Sequence, residues 1–140
     1  MTPEEILKEK KSFAIVGASN EMMKYGYELV CVFKDYGYKI FPINPKYDTI
    51  EGIKCYPSLK ELPDKFEDKP EVVISALAPK NTINVVPVVK EIGIETIWFP
   101  PNCFDESAIK KAEELQLNYV SNVCPIGILR KINQANSKIS

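Results

Sequence analysis

The residues best suited to bind a ligand lie in the loop Gly17-Ala-Ser-Asn20, directly after the apolar run 12–16. Gly17 permits a tight turn, Ser19 offers a hydroxyl, and backbone N–H groups ahead of a helix can bind a phosphate. Lys24 is near enough in the sequence to add positive charge. These features predict a phosphate-binding loop, although an ordinary turn that needs only glycine and asparagine would show the same residues.

A second loop, Asn44-Pro-Lys-Tyr47, limits the kind of nucleotide that the chain could bind. The dinucleotide fingerprint G-x-G-x-x-G would need glycines at positions 19 and 22, where Ser19 and Met22 stand. An NAD site also favours an acid after the second strand, whereas Lys46 at this point favours a phosphate. An adenine nucleotide with additional phosphates therefore fits better than NAD, and Tyr47 is placed to stack on its adenine.

Composition excludes several classes of function. The 140 residues contain no histidine, which rules out Ser-His and Cys-His nucleophilic dyads, His-ligated metals and phosphohistidine chemistry. A net charge of -1 argues against a general nucleic-acid or membrane-surface binder, and no apolar run is long enough to span a membrane. The cysteines form no C-x-x-C pair, so we expect no metal site. We also expect their thiols to be reduced and the protein to be cytoplasmic. They are Cys31, Cys55, Cys103 and Cys124.

Short apolar runs alternate with segments of helical periodicity, which is typical of a parallel sheet covered on both faces. The runs predict strands at 12–16, 38–43, 53–56, 71–77, 94–99 and 117–121. Helices are predicted after a cap at Thr2, at 26–36, at 82–92 after a cap at Asn81 or Thr82 and with a bend at Pro87, and from a cap at Asp105 to about Leu115. The predicted fold class is α/β: a Rossmann-like three-layer fold whose mostly parallel sheet has five to six strands and helices on both faces.

The sequence predicts one domain over residues 1–140, with its core at about 10–128 and a polar tail at 131–140 that frays. Ser58 and Glu61 match a capping box and predict a brief helical turn. The charged run 64–70 is expected to be a solvated connection. In an open parallel sheet a ligand binds beyond the carboxyl ends of the strands, where the winding reverses.

Two of the cysteines, Cys103 and Cys124, follow predicted strands and therefore belong to this edge. A ligand thiol that arrives there could form a mixed disulfide, and a helix N-terminus could lower the pKa of Cys103. The alternative is that each cysteine is a small buried apolar residue.

Several segments together resemble a known family. They are Ala14-Ile-Val-Gly-Ala-Ser-Asn20, Gly37-Tyr-Lys-Ile-Phe-Pro-Ile-Asn-Pro-Lys-Tyr47, Cys55-Tyr-Pro-Ser-Leu59, Ile97-Trp-Phe-Pro-Pro101 and Cys124-Pro125. Over about residues 10–128 the sequence is similar to the small stand-alone CoA-binding proteins. These are related to the N-terminal CoA-binding domain of the succinyl-CoA synthetase alpha subunit.

The resemblance implies that CoA or an acyl-CoA binds across the switch point of a Rossmann-like sheet. By position, Gly17, Ala18, Ser19 and Asn20 would bind phosphate beside Lys24, and Asn44, Pro45, Lys46 and Tyr47 would meet the adenosine end. The rest of the cofactor's path would be lined by Ser75, Ala76, Leu77, Ala78, Pro79, Phe99, Pro100, Pro101 and Asn102. The last of these stretches departs from the family pattern, which has glutamine where Pro100 stands and glycine where Asn102 stands.

The sequence thus predicts a binding or regulatory module for CoA or acyl-CoA, with no catalytic residues of its own. Its predicted partner is a small-molecule nucleotide cofactor, with neither nucleic acid nor membrane. Two other functions stay open: a small NAD(P)-dependent oxidoreductase, and a redox-sensing nucleotide-binding module.

Overall fold

The structure is a computed structural model that describes residues 1–63 and 69–139, the last four by backbone alone. In chain order its strands are β1 (Ser12–Val16), β2 (Lys39–Ile43), β3 (Thr49–Ile50), β4 (Ile53–Lys54), β5 (Val72–Ser75), β6 (Thr96–Phe99) and β7 (Asn118–Ser121). Its helices are α1 (Pro3–Glu9), α2 (Tyr25–Asp35), α3 (Pro79–Thr82), α4 (Val86–Glu91), α5 (Glu106–Glu114) and α6 (Pro125–Ile139).

The main sheet has the strand order β2-β1-β5-β6-β7, and every neighbouring pair is parallel. From β1 the chain moves outward to β2, then crosses back to β5 and continues outward to β7. The winding therefore reverses between β1 and β5. The carboxyl ends of these two strands form the crevice in which such sheets bind their ligands.

Two apolar layers cover the sheet, one on each face. Along β1, Phe13 and Ile15 pack in the layer that contains buried residues of α1, α2 and α6. Ala14 and Val16 pack in the other layer, with α4 and α5. Burial on both faces explains why the strands read as continuous apolar runs. The predicted α/β, Rossmann-like fold with helices on both faces is confirmed.

The strand predicted at 53–56 is wrong in its extent and its place. Ile53–Lys54 pairs antiparallel with β3 instead of joining the main sheet, and Tyr56 reaches that sheet through a single bridge to Ile43. Glu51 and Gly52 have φ values of 51° and 77°, so the chain reverses within a tight hairpin turn. The hairpin lies beside α2, because the Lys34 ammonium donates to the Glu51 carbonyl over 2.8 Å.

The single bent helix predicted at 82–92 is also wrong. The chain forms α3 from Pro79 to Thr82 and then a separate α4 that starts at Val86. Pro87 lies in the first turn of α4, where its missing N–H breaks no helical hydrogen bond, so it begins a helix rather than bending one. Thr82 is the buried last residue of α3 and not a cap.

The brief helical turn predicted after Ser58 is present, but its capping box is not. Ser58 makes no side-chain cap hydrogen bond, because the buried Leu59 belongs to a three-residue 3-10 turn that closes through backbone bonds. Helix α6 extends to Ile139, and Ile126 and Leu129 bury its first part against the core. Of the charged connection predicted at 64–70, residues 64–68 lie outside the described part of the chain.

The predicted caps at Thr2 and Asp105 are confirmed. The Thr2 hydroxyl accepts from the Glu5 N–H, and the Asp105 carboxylate accepts from the Ala108 N–H. Within the described ranges, no helix combines the length and the apolar character that crossing a membrane requires.

Candidate functional site

Three backbone segments meet at the carboxyl edge of β1. A Cβ atom on Gly26, in the first turn of α2, would lie 2.0 Å from the carbonyl oxygen of Gly17. A Cβ atom on Gly17, whose φ is +88°, would lie 2.7 Å from the carbonyl oxygen of Ala76 after β5. Glycine at both positions therefore lets the first loop, the start of α2 and the end of β5 touch through their backbones.

Short polar side chains fasten this loop to its neighbours. The Asn44 amide donates to the Ala18 carbonyl over 2.8 Å, and the Asn20 amide donates to the Thr49 carbonyl over 2.9 Å. The Ser19 hydroxyl accepts from the Glu21 N–H over 2.9 Å. These side chains fix the shape of the loop, so a ligand would meet mainly its backbone and the flanking lysines.

A first cleft, which we call the lysine cleft, has a volume of about 420 Å³. Lys24 and Lys46 lie on its rim as exposed cations, and Lys24 is also 3.9 Å from the exposed Glu21 carboxylate. An ion pair between such exposed groups adds little stability, so it leaves Lys24 available to a ligand. The cleft is lined by Gly17, Ser19, Glu21, Lys24, Tyr25, Gly26, Asn44, Pro45, Lys46, Tyr47, Ala76, Leu77 and Ala78.

A second cleft of about 520 Å³, the cysteine cleft, continues from the first, because Tyr25 and residues 76–78 line both. Its far wall consists of Pro101, Asn102, Cys103 and Cys124. Asn102 has a φ of 65°, the left-handed conformation that asparagine tolerates better than most residues. The two clefts together form a path along the carboxyl edge from the lysines to the cysteines.

The cysteine cleft contains a hydrogen-bonded tyrosine and thiol. The Tyr25 hydroxyl lies 3.2 Å from the half-buried Cys124 Sγ. Burial, together with this thiol, raises the pKa of Tyr25 well above its ordinary value. Burial also raises the pKa of Cys103, so the prediction that a helix end would lower it is wrong. Cys103 is instead a buried thiol that seldom ionises.

Buried hydrogen bonds hold the loops that carry the two cysteines. The Thr82 hydroxyl donates to the Cys103 carbonyl over 2.5 Å and lies 3.2 Å from the Ser75 hydroxyl. The Trp98 indole N–H donates to the carbonyl of Val123 over 2.8 Å. These bonds attach the turn at Cys103 to α3 and β5. They also attach Val123, the residue before Cys124, to β6.

A third cleft, the apolar cleft of about 400 Å³, opens on the other side of the first loop and was missed from the sequence. It shares Gly17, Asn44, Pro45 and Leu77 with the lysine cleft. The 3-10 turn and α4 supply most of its remaining wall, which includes Pro57, Leu59, Lys60, Asn81, Val85 and Val88. The spacing of Val85 and Val88 marks one helical face, but only the packed fold brings that face beside Leu59.

Not every predicted site residue lines a cleft. Ala18, Ser75, Phe99 and Pro100 are buried, and they pack beneath the clefts rather than on their surface. Asn20 and Pro79 are exposed next to the clefts. Within the described residues, no group of three or more Cys, Asp or Glu side chains is arranged to hold a metal ion.

Comparison with known families identifies the group to which this arrangement belongs. Residues 11–130 match the CoA binding domain family. The chain belongs to this family. The matched part of this CoA-binding domain contains all five strands of the main sheet, the first loop, both lysines and both cysteines of the cleft.

Two archaeal proteins contain a related segment. An ADP-forming acetate–CoA ligase of Methanocaldococcus jannaschii is 47% identical over 70 residues, which is 50% of this chain and 10% of the ligase. An ADP-forming acetate–CoA ligase II of Archaeoglobus fulgidus is 34% identical over 105 residues, which is 74% of this chain and 15% of the ligase. The matched segments thus span only 10–15% of the length of these two relatives.

A solved structure resembles the whole domain. It is a hypothetical protein from Pyrococcus horikoshii OT3, which superposes with a TM-score of 0.84 at 35% identity. The match covers 94% of this chain and 92% of that one. The predicted resemblance to small CoA-binding proteins and the predicted fold are therefore both confirmed.

Proposed function

We propose that this protein binds CoA or an acyl-CoA along the carboxyl edge of its main sheet, as a binding or regulatory module without catalysis of its own. One observation carries the proposal: the lysine cleft and the cysteine cleft form one path across the switch point of a CoA-binding domain. The path has cations at one end and thiols at the other, which matches a ligand with phosphates at one end and a thiol at the other.

The phosphate end of CoA belongs in the lysine cleft. Backbone N–H groups of residues 18–20 and of the start of α2 provide a site for the pyrophosphate. Lys46 is an exposed point charge beside them, suited to a further phosphate on the ribose. The neighbouring apolar cleft, with Pro45, Leu59 and Val88 in its walls, offers the adenine an apolar surface.

The pantetheine arm follows residues 76–78 into the cysteine cleft, where Pro101 and Asn102 face it. A thiol or a thioester then lies near Tyr25 and Cys124. The proposed setting is a reducing compartment such as the cytoplasm, because the four cysteines are free.

The proposal that the protein is not an enzyme depends on the absence of histidine from the sequence. A ligation mechanism that passes a phosphoryl group through histidine is impossible for this chain. General base catalysis by histidine is excluded for the same reason.

Isothermal calorimetry with CoA, 3′-dephospho-CoA, NADP and NAD tests the ligand class. We expect the affinity to fall in the order CoA, dephospho-CoA, NAD. At a CoA concentration a hundred times its Kd, the free energy of unfolding should rise by about 2.7 kcal/mol. Binding of NAD or NADP without binding of CoA would reject the proposal in favour of an oxidoreductase.

A further inference from the structure

The cysteine cleft holds a group that CoA binding itself does not require. Cys124 is half buried, lines the cleft and directly precedes α6, a helix of 15 residues. The Tyr25 hydroxyl lies 3.2 Å from its sulfur. Cys103 lines the same cleft but is only 8% exposed. The cleft therefore contains one accessible thiol, one buried thiol and one hydroxyl.

These surroundings favour Cys124 as the reactive thiol. Burial raises the pKa of Tyr25, so its hydroxyl keeps its proton and can donate a hydrogen bond to a Cys124 thiolate. Cys103 is only 8% exposed, and burial raises its pKa. The thiolate that attacks a ligand is thus the one on Cys124.

We propose that Cys124 is a thiol–disulfide exchange site that takes up CoA covalently from a CoA disulfide. This inference rests on the proposed function, because the adenosine and pantetheine parts must first bind along the two clefts. The co-reactant is the symmetric disulfide of CoA, and no other oxidant is needed.

The exchange is balanced in atoms and electrons. Cys124 loses its proton to solvent, and its thiolate attacks one sulfur of the CoA disulfide. A Cys124–CoA disulfide bond forms while the CoA–CoA disulfide bond breaks, and the second CoA leaves as a thiolate that takes a proton from solvent. A free thiol reverses the reaction. Because Cys103 seldom ionises, resolution from within the cleft is slow and the mixed disulfide persists until an external thiol arrives.

Cys31 provides a matched internal control. Like Cys124 it is a free cysteine of intermediate exposure, but it lies on α2 and lines none of the three clefts. A reaction that depends only on exposure would modify both cysteines. A reaction that depends on bound CoA would modify Cys124 alone.

The test uses the whole protein, CoA disulfide, and intact-mass analysis followed by peptide mapping. We expect one adduct with the mass of CoA less two hydrogens, on Cys124. It should form in the wild type and in Cys31→Ser but not in Cys124→Ser. At equal concentration CoA disulfide should react at least about tenfold faster than glutathione disulfide, because binding raises the local concentration of the reacting sulfur. Acetyl-CoA should protect Cys124. In Tyr25→Phe, which removes the hydroxyl 3.2 Å from the Cys124 sulfur, the exchange should be slower.

The outcomes separate the two proposals. If calorimetry shows that reduced CoA binds but Cys124 stays unmodified, or reacts no faster than Cys31, the exchange site is rejected and CoA binding stands. Equal rates with CoA disulfide and glutathione disulfide also reject it, because binding in the cleft would then not accelerate the reaction. If reduced CoA does not bind, the proposed function fails and the exchange site fails with it.

Discussion

In the lysine cleft, Asn44 holds the backbone at Lys46 in place, while the Lys46 side chain is exposed to solvent. The Asn44 side chain joins two loops: its carbonyl oxygen accepts from the Lys46 N–H, and its amide donates to the Ala18 carbonyl. The Lys46 side chain itself is exposed at the rim. The backbone at Lys46 is thus held in place while its ammonium group stays in water, an arrangement suited to meeting a phosphate.

Lys46→Ala should weaken CoA binding by roughly 1.5–3 kcal/mol, the range for one hydrogen bond to a charged group. The free energy of unfolding should stay the same, because an exposed lysine adds no core packing. Calorimetry and urea unfolding measure the two effects. Lys110→Ala removes an exposed lysine from α5 and serves as the control. Unchanged affinity in Lys46→Ala would remove this residue from the site.

Gly26 and Gly127 are both helical glycines, but their surroundings differ. A Cβ atom on Gly26 would collide with the Gly17 carbonyl, whereas one on Gly127 would have no neighbour within 4 Å. Gly26→Ala should therefore lower the free energy of unfolding by at least about 2 kcal/mol, the scale of overpacking. Gly127→Ala should be neutral or stabilise α6 by up to about 1 kcal/mol. Urea unfolding that gave the same change for both variants would contradict the proposed backbone contact.

At the scale of elements, the sequence locates a strand or helix best where one physical rule decides which of the two forms. Strands buried on both faces are largely apolar, so β1, β2, β5 and β6 could be located from their apolar runs. Helix α6 could have been found as well, since Pro125 suits a first helical position and Ile126, Leu129 and Ile132 recur every three residues. The polar character of its last residues obscured that pattern.

Other elements could not be located in this way, because distant contacts decide them. Residues 53–56 resemble a strand of the main sheet, but a left-handed turn at Glu51 pairs Ile53 and Lys54 with β3 instead. Pro87 permits either a bend within one helix or the start of another. The buried hydrogen bond from Thr82 to the Cys103 carbonyl accompanies the second arrangement. That contact spans 21 residues, so no local pattern reveals it.

The N-terminal cap of α5 makes the free energy of unfolding depend on pH in the acid range. Hydrogen bonds from the Ser107 hydroxyl and the Ala108 N–H lower the pKa of Asp105. A group whose pKa is lower in the folded state stabilises the protein above its unfolded pKa of about 3.9 and loses that effect as the pH falls through the lowered value. Asp105→Asn cannot titrate, so the wild type should lose stability relative to it only below about pH 4. Urea midpoints from neutral to strongly acidic pH measure this, with Glu95→Gln as the control. A difference that stays constant over that range would contradict the cap.

At the scale of the whole molecule, the carboxyl edge was predictable but the shape of the site was not. Parallel strands end at one edge, so the first loop, Lys46 and residues 76–78 had to lie together. The burial of Ser75, Phe99 and Pro100 and the presence of the apolar cleft depend on how α3 and α4 pack across that edge. Tertiary packing of this kind leaves little trace in a single sequence.

We expect no release of free thiol from acetyl-CoA above the uncatalysed rate. The sequence has no histidine to activate water or a nucleophile, and burial keeps the Cys103 thiol protonated. A continuous assay with a thiol reagent measures the rate, with longer acyl-CoAs as further substrates. Turnover that disappears in either Cys103→Ser or Cys124→Ser would show that the protein is an enzyme.

The hydrogen bond from Trp98 to the Val123 carbonyl gives the protein an optical probe of its own. Trp98 is the one tryptophan of the sequence, it is 0% exposed, and its indole contacts the residue next to Cys124. Intrinsic emission excited at the red edge of the indole band therefore comes from a single point beside the cysteine cleft. It should be blue-shifted in the folded protein. Displacement of Val123 by a group arriving at Cys124 would shift the emission to longer wavelength without any attached dye.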